Sequence, residues 1–297
     1  MARYTSDNLF RIILELSKVR ITIAVAFTTI TGYLLARGGY DFGFLLPTLG
    51  IFLLACGASV INHLQERKTD AAMERTRMRP LPARKVTLVF AVTLAILEIF
   101  AGSLVLYLGS GLAALVLGLV ALVWYNAIYT NLKRITPHAV IPGSVIGSIP
   151  PLVGWVAAGG SLLDRQALVL AAFFFIWQVP HFYLLAIKYG NQYEAAGLPS
   201  ITSRMSLSRI RKLVFFWVVL SALAAVAVAF SRLPGSVISL VAILMAGLTL
   251  VLIFIPIFSE KSEHFNAIRY FMKINYFVLF VILMLIGGPL FRLIFHC

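Results

Sequence analysis

The 297 residues are 61% hydrophobic with a mean hydropathy of +0.95, against about 45–50% apolar residues in soluble globular domains, so the composition excludes a soluble globular protein and reads as an integral membrane protein. A net charge of +14 would suit nucleic acid, but its distribution along the chain is that of a topology signal, and no nucleic-acid partner is expected. Cys56 and Cys297, the two cysteines, have neither the spacing nor the context of a disulfide or a metal site.

In chain order, a charged leader precedes nine apolar runs, at about 20–36, 44–63, 86–108, 111–129, 139–158, 167–187, 213–231, 236–258 and 275–294. Each is close to the roughly 20 residues that a helix needs to cross a bilayer. The first run follows charged residues, with no small-residue cleavage site ahead of a soluble domain, and reads as a span. A cytoplasmic N-terminus leaves only Arg37, Arg165, Arg232 and Arg292 outside and all the other Lys and Arg inside. By the positive-inside rule this predicts N-terminus in and C-terminus out. No linker or soluble segment interrupts the pattern, so residues 1–297 read as one all-α transmembrane domain in the lipid bilayer. The long charged inside segments, 64–85 and 188–212, put the chemistry at the cytoplasmic face.

The most polar stretch is NHLQERKTDAAMERTRMRPLP, residues 62–82. Within it Asn62, Glu66 and Asp70 are spaced i, i+4, i+8, which at ~100° per residue keeps all three oxygen-bearing side chains on one side of a helix. Converging oxygen ligands suit Mg²⁺, a hard cation usually held by one or two carboxylates plus substrate phosphates. The basic residues that follow could neutralise phosphate oxygens, Arg through paired contacts. The same pattern also describes a solvated helix end with a positive-inside loop, and spacing alone leaves both readings open. Glu98 lies inside the third run, in LAILEIF. An ionisable group there is costly and marks a functional hypothesis: it could be protonated, paired with a polar cavity residue, or part of a subunit contact.

The 62–82 stretch resembles the first aspartate-rich motif of the intramembrane UbiA prenyltransferase superfamily, in its heme O synthase (protoheme IX farnesyltransferase) branch. There the pattern is N-x-x-x-D-x-x-x-D followed by M-E-R-T-x-x-R-P-L. Three further stretches are similar in the same order: LSKVRIT (16–22), YTNLKRITPHAVIPGSVIGSIPPLVGW (129–155) and WQVPHFYLLAI (177–187). The chain departs from the branch at Val19 for Pro, Glu66 for Asp, Ala139 for Asn and Gln192 for Asp.

The resemblance implies nine transmembrane helices around a central cavity. It also implies Mg²⁺-assisted ionisation of a prenyl diphosphate, with farnesyl diphosphate as donor and a vinyl group of heme B as acceptor. Carried over residue by residue, Asn62, Glu66 and Asp70 are the catalytic metal ligands. Arg67, Arg75 and Arg79 become diphosphate contacts; Arg20, Lys133 and Arg134, placed at the same cytoplasmic face, and Lys188, beside the second motif, are further candidates to reach the diphosphate. Asn191, Gln192 and Glu194 stand where the superfamily has a second metal motif, and Trp177, Gln178 and His181 are acceptor contacts. The pair Pro150–Pro151, with Gly147 and Gly154, is expected to break or bend the fifth span as a pocket wall. The implied location is the bacterial inner membrane, with a downstream heme-modifying membrane enzyme as partner. Two alternatives stay open: another aromatic or quinone-precursor acceptor, and a catalytically degenerate heme-binding membrane protein.

Overall fold

In hydrocarbon a backbone must satisfy its own hydrogen bonds, and the apolar runs do so as helices. A computed structural model describes residues 6–231, 233, 235–260 and 265–295, with side chains between residues 9 and 288 of those ranges. Arg3, Arg232, Lys261 and Cys297, and the side chain of Arg292, lie outside the described residues.

The helices are α1 (Ser6–Leu16), α2 (Val19–Arg37), α3 (Leu45–Ala72), α4 (Leu88–Val123), α5 (Thr130–Leu132), α6 (Val140–Ala157), α7 (Arg165–Ala195), α8 (Ile201–Arg204), α9 (Leu207–Phe230), α10 (Val237–Phe254) and α11 (Ala267–Phe295). No strand occurs among the described residues. The bundle forms a closed circuit: α2 packs on α3, α3 on α4, α4 on α6, α6 on α7, α7 on α9, α9 on α10, α10 on α11, and α11 back on α2. The short α1 precedes the first span and buries Ile12 and Leu16 against Val60, Leu81 and Ala91. α3 has 28 residues and rises about 42 Å, against roughly 30 Å of hydrocarbon. Its last turns therefore carry Glu66 and Asp70 to the polar end of the bundle.

Eight helical runs among the described residues are long and apolar enough to cross a membrane, where nine runs are legible in the sequence. The difference lies in Leu88–Leu132, one helical run of 45 residues that spans the expected runs 86–108 and 111–129. At Gly111 the backbone is non-helical (φ 79°, ψ −177°), a conformation essentially reserved for glycine. A Cβ placed on Gly118 would lie 2.8 Å from both Leu106 Cδ2 and Leu54 Cδ1. In a straight helix Leu106 and Gly118 would be about 18 Å apart. The run therefore doubles back at Gly111 into two legs, both beside α3.

α6 runs helical through Pro150 and Pro151, so of the expected break or bend no break occurs. Both rings are buried where α6 crosses α2, and neighbouring helices hold such a segment helical in a membrane. At this crossing a Cβ on Gly32 would sit 2.7 Å from the carbonyl carbon and 2.9 Å from Cα of Pro151. Backbone cannot swing aside as a side chain can. Gly32→Ala is expected to cost about 1–3 kcal/mol, read as a lower unfolding temperature of the purified protein in detergent. An unchanged temperature would contradict the close crossing.

Candidate active site

Three segments meet at the polar end of α3. The first is the joint between α1 and α2, where Lys18 adopts the left-handed conformation (φ 47°, ψ 45°), uncommon for a non-glycine residue. The second is α3, whose Asn62, Glu66 and Asp70 are 2%, 8% and 1% exposed. The third is Trp124–Tyr129, a π-helical turn that links α4 to α5. Such widened turns concentrate at functional sites. This one turns Tyr125 and Asn126 toward α3, where Asn126 Nδ2 donates to the carbonyl of Ala58 at 2.9 Å.

Each of the three ligand candidates is met by a basic group, as buried carboxylates require. Lys18 Nζ donates to Asn62 Oδ1 at 2.6 Å and to the Tyr125 hydroxyl at 3.2 Å. Asn62 Nδ2 donates to Thr130 Oγ1 at 3.1 Å. Lys133 forms an ion pair with Glu66, and Arg79 Nη1 donates to both oxygens of Asp70 at 3.0 and 2.9 Å. Burial lowers the Lys18 amine to about 7, against the raising effect of the Glu66 carboxylate. Burial also pulls on Lys133, but Glu66 and Tyr129 outweigh it and hold that amine above its ordinary value.

The other expected residues divide clearly. Arg20 and Arg67 are exposed, and among the described residues Arg67 bonds only the Leu64 carbonyl of its own helix. Lys18 occupies the place expected of Arg20: its left-handed backbone sends Nζ to Asn62 and Tyr125, whereas Arg20, in the first turn of α2, is exposed. Arg134 Nη2 braces α3 by donating to the Gln65 carbonyl at 2.6 Å. Lys188 is exposed, without a polar partner among the described residues. Arg75 lies over the Tyr189 ring at 4.4 Å, and its backbone N–H donates to Gln192 Oε1 at 3.4 Å. The end of α7 thus reaches the α3–α4 loop through Gln192. Glu194 is exposed and accepts from Thr202 Oγ1 at 2.8 Å, and Asn191 is exposed, so neither is brought to Asn62, Glu66 or Asp70 by a contact. Lys18, Tyr125 and Thr130 are the members of the cluster that sequence reasoning did not select.

Rings lead away from this cluster. Tyr125 stacks on Tyr129 and Tyr129 on Phe182, each at 6.0 Å between centroids. Phe182 meets His181 at 5.5 Å, and His181 meets Trp177 at 5.2 Å and Phe271 at 4.5 Å. His181 Nδ1 is 2.8 Å from Asn275 Oδ1, and Trp177 Nε1 donates to the Ile274 carbonyl at 3.0 Å. Gln178 faces α6 instead, against Gly147, with Oε1 buried and unpartnered among the described residues. A cleft of about 130 Å³ opens beside Tyr129, Lys133, Phe182 and Tyr193.

No cluster of three His, Cys, Asp or Glu exists among the described residues. The side chains that share this face of α3 are two carboxylates and an amide, all with oxygen atoms. This set fits Mg²⁺, which keeps waters and takes phosphate oxygens to complete its shell.

Buried oxygen-bearing side chains, three basic groups around them and an aromatic row meet at one end of the apolar helices. The chain belongs to the UbiA prenyltransferase family, which matches residues 25–277, and it is a prenyltransferase. A protoheme IX farnesyltransferase of Geobacter sulfurreducens is 39% identical over 189 residues, covering 64% of this chain and 70% of that protein. One from Vesicomyosocius okutanii is 31% identical over 279 residues, 92% and 94% of the two chains. A UbiA homolog from Archaeoglobus fulgidus bound to GPP and Mg²⁺ shares the fold, with a TM-score of 0.70 at 12% identity over 94% of this chain and 98% of that one. A structure described as digeranylgeranylglyceryl phosphate synthase gives a TM-score of 0.74 at 18% identity, over 94% and 98%.

Proposed function

We propose that the protein transfers a farnesyl group from farnesyl diphosphate to a vinyl group of heme B, giving heme O. The observation that carries the reading is the aromatic row from Tyr125 to His181 and Trp177. It joins the charged cluster at the end of α3 to the Trp-Gln-x-Pro-His-Phe segment. The names of the relatives point the same way.

The C–O bond between farnesyl and diphosphate breaks, and both electrons leave with the diphosphate. Lys18, Arg79 and Lys133 hold that charge in a site shielded from water, where fixed donors are most effective. Asn62, Glu66 and Asp70 would hold Mg²⁺, whose role when bound is to polarise the diphosphate as a Lewis acid. The rings of Tyr125, Tyr129 and Phe182 exclude water and favour the allylic cation electrostatically. The vinyl π electrons form the new C–C bond, and water adds to the resulting cation with loss of a proton. Trp177 and His181 contact the acceptor, whereas Gln178 lies against Gly147 of α6. Gln192 orders Arg75 at the mouth, with Arg67, Arg134 and Lys188 as outer cations and Asn191 and Glu194 as secondary oxygen donors.

The fold-back at Gly111 supports nine crossings, with the charged end cytoplasmic, the N-terminus inside and the C-terminus outside. The setting is the inner membrane, where a heme-modifying enzyme would receive the product.

Purified protein in nanodiscs with Mg²⁺, farnesyl diphosphate and heme B is expected to release pyrophosphate only when heme B is present. Release that depends instead on an aromatic quinone precursor would overturn the acceptor assignment.

A further inference from the structure

Glu98 is the ionisable residue the reaction leaves unused. It sits inside a membrane span, with no cation paired to it among the described residues. Oε1 accepts from Ser17 Oγ at 2.7 Å, and Oε2 is buried and unpartnered among the described residues. Hydrocarbon penalises such a group heavily, so packing alone gives no reason to have a carboxyl there.

Its partner is informative. Ser17 is 2% exposed and lies between the last residue of α1 and the first of α2. Its backbone N–H closes α1 by donating to the Ile13 carbonyl at 2.9 Å. The next residue is Lys18, whose left-handed backbone costs energy and persists only if the surroundings fix it. That conformation sends Lys18 Nζ to Asn62 and Tyr125. α4 in turn is held tightly to α3: a Cβ on Gly57 would meet Ile99 Cγ1 at 2.6 Å, and one on Gly102 would meet the Leu54 backbone nitrogen at 2.7 Å. A closed path therefore runs from Glu98 to Ser17, to Lys18, to Asn62 on α3, and back to α4.

We propose that Glu98 is a positioning residue: through Ser17 it pins the α1–α2 joint so that Lys18 is aimed at the diphosphate site. The inference rests on the prenyl diphosphate reading of that site. It makes a demand that a purely structural role does not. Removing the carboxyl relieves an intramembrane cost, so Glu98→Leu keeps or raises the unfolding temperature while ligand binding falls.

The test is calorimetric binding of farnesyl diphosphate with Mg²⁺ to purified protein in nanodiscs, with unfolding temperatures measured in parallel. Glu98→Leu is expected to weaken binding about tenfold, the scale of coupling between contacting residues. Glu98→Gln, which keeps an acceptor for Ser17, stays within about twofold of wild type, since a single neutral hydrogen bond is retained. The Lys18→Ala/Glu98→Leu double variant binds no more weakly than Lys18→Ala. Wild-type affinity in Glu98→Leu, or losses that simply add in the double variant, would overturn the inference. Wild-type protein that binds farnesyl diphosphate without making heme O would sink the acceptor assignment and leave this path standing. Wild-type protein that binds no prenyl diphosphate would sink both.

Discussion

Asp70→Ala reduces prenyl transfer by about 10²–10³-fold or more, the scale of losing a preorganised charge-stabilising group, while the protein still inserts in the membrane. Asp70 is 1% exposed, and both its carboxylate oxygens are engaged by Arg79. Removing the carboxylate takes away a metal ligand and frees Arg79 from the orientation it needs toward the diphosphate. The fold around it has a separate support, because Thr76 Oγ1 donates to the Asp70 backbone carbonyl at 2.9 Å, a bond that alanine keeps. Glu66→Ala behaves alike, since it leaves Lys133 without its partner. The check is product formed per amount of membrane-inserted protein. Substantial turnover in both variants would remove the metal site from this face of α3.

The second large effect separates two neighbouring cations. Lys18→Ala weakens prenyl diphosphate binding about 10- to 100-fold, as expected for a lost hydrogen bond between charged groups. Arg20→Ala changes it by less than about twofold, in keeping with exposed charges. Lys18 Nζ sits 2.6 Å from Asn62 Oδ1, whereas Arg20 is exposed. Titration of the two variants with farnesyl diphosphate and Mg²⁺ decides between them. A large loss in Arg20→Ala with none in Lys18→Ala would reverse the assignment.

These two cases mark what is legible in the sequence. Asn62, Glu66 and Asp70 stand out because they lie on an uninterrupted helix, where i, i+4, i+8 spacing translates directly into one face. Lys18 does not stand out, because its direction depends on a left-handed joint that no local pattern announces. Tyr125 and Thr130 are hidden by the π turn, which breaks the 3.6-residue period used to assign faces. The paired runs at 86–108 and 111–129 are legible as two apolar stretches, and the positive φ of Gly111 gives the physical reason they separate. No break occurs at Pro150–Pro151, because buried neighbours decide whether a proline interrupts a membrane helix. The role of Glu98 was open in the sequence because its partner lies 81 residues away in the chain.

The central claim is that this charged helix end and aromatic row convert heme B to heme O. The most direct measurement is expression in a host lacking its own heme O synthase, followed by mass spectrometry of the extracted hemes. The account predicts a heme heavier than heme B by one farnesyl group plus one hydroxyl group, absent in Asp70→Ala. Only heme B in cells that contain the inserted protein and farnesyl diphosphate would contradict it.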